Sequence, residues 1–385
     1  MFATLRKPVF LKIYLIPLLT MCVGSMSFGI SVIYALDMGA DILQINLITT
    51  IRSTMSILLL VPFGILSDRF GRKPMLLYPR FIMWFGTLIR AFASEPNHLL
   101  IASFVGGFSG GNYMPILLSM IADIAEPEEQ HESITILFFF SSIGMVVGPL
   151  ITTLLLNLPQ ITLRNIYQIT AIAQIIIIAY LATQIRETNP MISSDGKEGY
   201  RASIMGFVRQ SGLKYILGMI FLYFFSRSII QTYIPIYARI DLNLSDIEVS
   251  SLSFYRNLAI VFIRLLSATL LTKVSIKTYL LSVVALGGVT SLASPLAENY
   301  QSIVLIFFLS GVSFGAVRVL SSSLVAKNST PENRGVANSL LLISQSSGNF
   351  MSITTSPIAN TLGLDPVFFI GGIIGLIAII PVLAS

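Results

Sequence analysis

The chain has 385 residues, 54% hydrophobic and only 11% charged, with a net charge of +6 and a mean hydropathy of +0.82. Soluble domains carry about a quarter charged residues, so this much apolar surface has to face lipid, and the positive balance is not by itself a nucleic-acid signal. Cys22 is the only cysteine and His98 and His131 the only histidines, which excludes an internal disulfide and metal sites built from cysteine or histidine clusters; no metal and no cofactor is expected.

The start, "MFATLRKPVFLKIYLIPLLTMCVG", has the basic head and apolar run of a signal peptide. The run continues through "SMSFGISVIYAL", too long for a cleaved segment, so it reads as a first membrane span that stays. A span needs about 20 mostly apolar residues. Cutting at polar joints predicts twelve: 13–34, 43–66, 75–93, 98–124, 134–156 and 164–184, then 213–237, 247–271, 277–294, 301–324, 335–360 and 365–384. The polar stretch 186–212 reads as a linker between two six-span halves, 1–185 and 213–385. Lys and Arg set the orientation. With the N-terminus inside, the cytoplasmic joints hold Arg6, Lys7, Arg69, Arg72, Lys73, Arg186, Lys197, Arg201 and others, while the outer ones hold only Arg90, Arg164 and Arg239. The expectation is a multi-pass protein of the cytoplasmic membrane with both termini inside.

The halves correspond at an offset of 204. Arg52 meets Arg256, Lys73 meets Lys277, Gly107 meets Gly311, Pro127 meets Pro331, and Ser142 and Gly144 meet Ser346 and Gly348. Two parallel repeats with a site between them is a transporter plan.

Between the second and third spans lies "GILSDRFGRKP", residues 64–74. Gly64 permits close helix approach, Gly71 a tight reversal at positive φ, and Arg69, Arg72 and Lys73 hold the loop at the anionic inner leaflet. Asp68 breaks the positive pattern and needs a partner. The stretch resembles the loop between helices 2 and 3 of the major facilitator superfamily, and helix count, repeat and central linker extend that resemblance over essentially the whole chain. It implies an all-α membrane protein of twelve helices in two six-helix pseudo-repeats. It also implies a gate in which Asp68 reaches the start of the eleventh helix near Gly335, and Arg72 reaches Asp123. "GMVVGPLITT", 144–153, is similar to a fifth-helix pattern of the family common among exporters and antiporters. Gly144, Gly148 and Pro149 match it, while Thr152 and Thr153 stand where glycines belong; plain helix packing explains the same residues. Many proton-coupled drug exporters of the family carry an arginine four residues before the glycine matching Gly107, and here that position is Ser103.

Every acidic residue falls at a joint or a span end under these cuts, which weakens a proton relay through the membrane. Buried cations stand instead: Arg52, Arg80, Arg227, Arg256, Arg264 and Arg318, each costing about 2.5–3.5 kcal/mol at a lipid-facing midplane. Arg80 and Arg264 lie near span ends, where snorkelling relieves the cost. Arg227 and Arg318, with Arg52 and Arg256, are candidates for substrate contact, joined by Asn112 and by Tyr223. Tyr223, Arg227 and Gln231 share one helix face.

The sequence reads as a monomeric secondary transporter working by alternating access, an exporter or antiporter rather than an enzyme. Its partners would be a small solute of anionic character, a coupling ion and the lipid bilayer, with no nucleic acid. A proton-coupled multidrug exporter is the alternative, and a non-transporting sensor or scaffold the alternative of another class.

Overall fold

The computed structural model describes residues 4–59, 66–67, 69–108, 113–188, 211–270, 273–327 and 334–383. Within them the chain is helical and holds no strand. This is the arrangement lipid demands, because a helix satisfies its backbone groups internally. The helices are α1 (Pro8–Phe28), α2 (Ser31–Asp37), α3 (Ile42–Leu58), α4 (Arg72–Ala91), α5 (Pro96–Gly107), α6 (Tyr113–Ile124), α7 (Pro127–Leu156) and α8 (Leu163–Gln184). They continue as α9 (Ser211–Ile240), α10 (Asp246–Leu270), α11 (Ile276–Ala293), α12 (Tyr300–Lys327), α13 (Arg334–Met351), α14 (Ser356–Leu362), α15 (Asp365–Ile377) and α16 (Ile379–Leu383).

Among the described residues, eight stretches are long and apolar enough to cross a membrane: Pro8–Asp37, Glu128–Leu156, Leu163–Gln184, Leu213–Ile240, Asp246–Ser267, Ile276–Leu296, Tyr300–Val325 and Asp365–Leu383. The other four expected spans fall on α3, α4, the pair α5–α6, and α13. One single span read from sequence is divided. In 98–124, residues 109–112, between α5 and α6, lie outside the described residues, while 335–360 becomes α13, a 3-10 turn over Ser352–Thr355, and α14, which has proline in its first turn. Proline is tolerated there because its missing N–H needs no partner. The acidic run read as a joint, "PEEQHE", instead opens α7, with Glu128 and Glu129 in its first turn, where carboxylates oppose the helix dipole.

The chain forms two compact units, residues 1–40 with 51–196, and residues 41–50 with 197–385. In the first, α1 packs along α7 and α8, and α4 along α5 and α8. The α1–α7 crossing is close because Gly144 and Gly148 have no side chain. A Cβ on Gly144 would strike the Leu18 carbonyl, and one on Gly148 would strike the Cys22 carbonyl and Ser25 Oγ. Thr152 serves the same crossing by donating its hydroxyl to the Met26 carbonyl at 3.0 Å. In the second unit α9 packs along α13, α10 along α12, and α11 along α15. Gly348 there meets the Phe221 carbonyl as Gly144 meets that of Leu18. Gly107 packs on the Arg52 carbonyl and Met55, and Gly311 on the Arg256 carbonyl and Ala259. Large apolar side chains stand exposed on both units, among them Phe85, Phe139, Ile176, Leu265 and Ile380, as lipid-facing surfaces require.

Candidate functional site

The motif loop closes around Gly71, whose φ of 97° is open to glycine and strained for other residues. Gly71 precedes α4, and the first N–H groups of that helix are claimed by one carboxylate. Glu187 accepts from Arg72 N at 2.8 Å through Oε1 and from Lys73 N at 3.0 Å through Oε2. A negative charge at this helix start satisfies orphan donors and the dipole together. Arg72 then turns to Asp123, Nε to Oδ2 3.3 Å, and its Nη1 donates to Ser67 Oγ at 3.1 Å. Thr188 donates to the same Asp123 oxygen at 3.1 Å. Lys73 Nζ reaches the Ala182 carbonyl at 2.7 Å, and Arg69 is exposed, over the Phe70 ring. Thus Gly71, Arg72 and Asp123 are brought together. Gly64 and Asp68 lie outside the described residues, as does Asn112.

In the first unit the arginines are largely used by the protein. Arg80 does not snorkel. It is 4% exposed, donates to Thr20 Oγ1 at 3.3 Å and lies over the Tyr113 ring. Arg90, read from sequence as an outer-joint residue, sits in the last turn of α4 and donates to Ser103 Oγ at 2.9 Å. A guanidinium from α4 therefore arrives at the α5 position where many drug exporters carry their own arginine. Arg52 lies on α3 near Arg90 and Arg80.

The second unit gathers a different set. Tyr223, Arg227 and Gln231 from α9, Arg256 from α10, Gly287 from α11 and Ser310 from α12 line one small cavity. Its free space is about 10 Å³, room for about one water. Arg227 lies 3.9 Å from the centre of the Phe314 ring and Arg256 5.4 Å from it, with Phe307 also 5.3 Å from Arg256. Such contacts are worth about 0.5–2 kcal/mol each, and they leave N–H donors unused. The buried Nε of Arg227 and Oε1 of Gln231 have no hydrogen-bond partner among the described residues. Tyr223 is committed elsewhere. Its hydroxyl is 2.8 Å from Ser313 Oγ, and Ser313 spends its own proton on the Val283 carbonyl at 2.6 Å, so Tyr223 is the donor.

The face predicted for Tyr223, Arg227 and Gln231 is therefore a cavity wall, and Arg256 joins it. Arg318 does not; it is an exposed residue of α12. Arg52 belongs to the first unit. Gly144, Gly148 and Pro149 are buried in α7. Sequence reasoning missed Glu187, Arg90 and the Phe314 platform. For Phe314 the signal was faint: an aromatic residue among 25 phenylalanines.

The comparisons agree on family. The model of the Major Facilitator Superfamily matches residues 13–353. An uncharacterized transporter of Buchnera aphidicola subsp. Schizaphis graminum is 27% identical over 48% of this chain and 47% of its own length. The multidrug resistance protein MdtH of Yersinia enterocolitica is 31% identical over 24% of this chain and 23% of its own. The matched stretches thus span about half or less of these curated relatives. Among solved structures, the human organic anion transporter MFSD10 aligns with a TM-score of 0.67 at 16% identity, covering 98% of this chain and 99% of that one. The nucleoside transporter NupG aligns at 0.83 and 11%, again covering 98% and 99%. At those identities the likeness is one of fold. With the family model spanning most of the sequence, the chain belongs to the Major Facilitator Superfamily and is a multi-pass membrane protein.

Proposed function

We propose that the chain is a secondary active transporter that moves a small anionic solute across the cytoplasmic membrane, as an exporter or antiporter working by alternating access. The observation that carries the solute class is the Arg227–Arg256 cavity, in which two permanent cations meet and no carboxylate stands among the described lining residues. The organic anion specificity named for MFSD10 supports the same class. Two six-span repeats, 1–185 and 213–385, would rock about the cytoplasmic linker 186–212, and the matching crossings at Gly107 and Gly311 support that repeat. Gly64, Asp68, Arg69, Gly71, Arg72 and Asp123 would form the gate, with Gly144, Gly148 and Pro149 as the stiff crossing beside it.

Purified protein in proteoliposomes, tested against organic anions and cationic drugs, checks this reading. Anion flux that falls at least tenfold in Arg227→Gln supports it; flux of cationic drugs alone overturns the solute class. That second outcome would favour a proton-coupled multidrug exporter, a reading supported by the likeness to MdtH and by Arg90 at Ser103. No flux of any solute would favour a sensor or scaffold. Asp68→Asn should cut flux while monodisperse yield is unchanged; normal flux would remove Asp68 from the gate. For orientation, cysteines at Ser194 and Asn299 in a Cys22→Ala background should be spared and labelled, respectively, by an impermeant reagent on intact cells, and the reverse pattern inverts the topology.

A further inference from the structure

We infer that the cavity of the second unit holds a resident inorganic anion of halide size, bound between Arg227 and Arg256. The inference rests on the anion-contact reading of this pair and narrows it to a monatomic ligand. Three observations lead there.

Charge comes first. A guanidinium does not deprotonate in a protein, so the two arginines remain cationic while both reach the Phe314 ring. The described acids of the unit are at helix ends or joints: Asp41, Asp241, Asp246, Glu248, Glu298 and Asp365. None lines the cavity. Ring quadrupoles attract a cation but do not cancel its charge, so the counter-charge has to come from solution.

Donors come second. Arg256 is 7% exposed and makes no hydrogen bond among the described residues. The Nε of Arg227 is buried and unsatisfied. Gln231 has an amide oxygen without a partner, and a half-turn of that amide offers its NH2 group instead. Ser310 has already given its proton to the Phe307 carbonyl at 2.7 Å. The wall thus holds three side chains with spare donor capacity.

Size comes third. About 10 Å³ of free space admits one water-sized particle in this conformation, so a carboxylate-bearing solute would need the wider cavity of another state of the transport cycle. A water would satisfy a donor or two and leave both charges standing. A chloride ion satisfies the donors and offsets the charge within the same space.

The test uses the full chain in detergent, in gluconate buffer at constant ionic strength, with chloride or bromide added. Thermal unfolding should shift upward by several degrees and saturate, since a ligand bound only by the folded state stabilises it. Arg256→Gln should abolish the shift and Arg256→Lys should weaken it. Equilibrium binding of radioactive chloride, measured on monodisperse fractions, covers the case in which Arg256→Gln folds poorly, with Arg227→Gln as the second variant. No shift and no chloride binding overturns the inference, as does an equal shift in Arg256→Gln. If halides do nothing while benzoate stabilises the wild type and not Arg227→Gln, the halide inference falls and the organic-anion reading stands. If neither halides nor organic anions act through these residues, both fall.

Discussion

The two units build their helix crossings alike and treat their arginines differently. In the first, Arg80 and Arg90 each donate to a protein hydroxyl, Thr20 and Ser103, although Arg80 also lies over the Tyr113 ring and its Nε has no partner among the described residues. In the second, Arg227 and Arg256 meet rings. An arginine with a protein hydroxyl in reach is tied into the packing by it; one that meets only rings keeps more of its donors for a ligand. The starts of α4 and α11 differ in the same way. A glycine and a distant carboxylate, Gly71 and Glu187, serve the first, whereas the local hydroxyl of Ser275 accepts from Thr278 N at 3.1 Å at the second. A local cap ties nothing else down, while the Glu187 cap binds the segment after α8 to the motif loop.

The largest expected effects test the likeness. Gly148→Leu and Gly348→Leu each drive a side chain into the backbone of a neighbouring helix and should cost about 3 kcal/mol or more. Both should abolish monodisperse yield; a harmless result in one unit alone would break the equivalence of the crossings. Next comes the contrast itself. Arg80→Met leaves the Thr20 hydroxyl without its donor and should lower stability by about 1–3 kcal/mol. Arg227→Met removes an uncompensated charge and should raise the melting temperature in anion-free buffer. Shifts of the same sign would show that the two sets of arginines are held alike. Smaller still, Arg72→Gln disrupts a part-exposed pair with Asp123 and should cost about 0.2–1 kcal/mol by thermal unfolding, while flux falls by far more if the loop is a gate. Smallest is Lys7→Ala, which removes an exposed contact with Glu129 at 2.6 Å and should leave thermal unfolding unchanged within error.

Several features were legible because they depend on local geometry. A spacing of four puts Tyr223, Arg227 and Gln231 on one helix face whatever surrounds them. Glycine at Gly71 announces a backbone other residues avoid, and Arg72 at the start of α4 and Asp123 near the end of α6 were paired through the family resemblance. Arg80 was misread for a physical reason. Distance from a span end is a one-dimensional measure, and it says nothing of whether a neighbouring helix offers Thr20 within reach.

By itself the sequence determined the medium, the helical class and the family, since apolar content, backbone hydrogen bonding in lipid and a charged joint of specific pattern are properties of the linear chain. Under the span boundaries read from it, every acid falls at a joint or a span end and the embedded charge is basic. Only the tertiary structure decided which cations share a space. Arg227 and Arg256 line one cavity and Arg318 does not, and packing such as Gly311 on the Arg256 carbonyl, which no residue's own preference dictates, fixes how closely α10 and α12 meet.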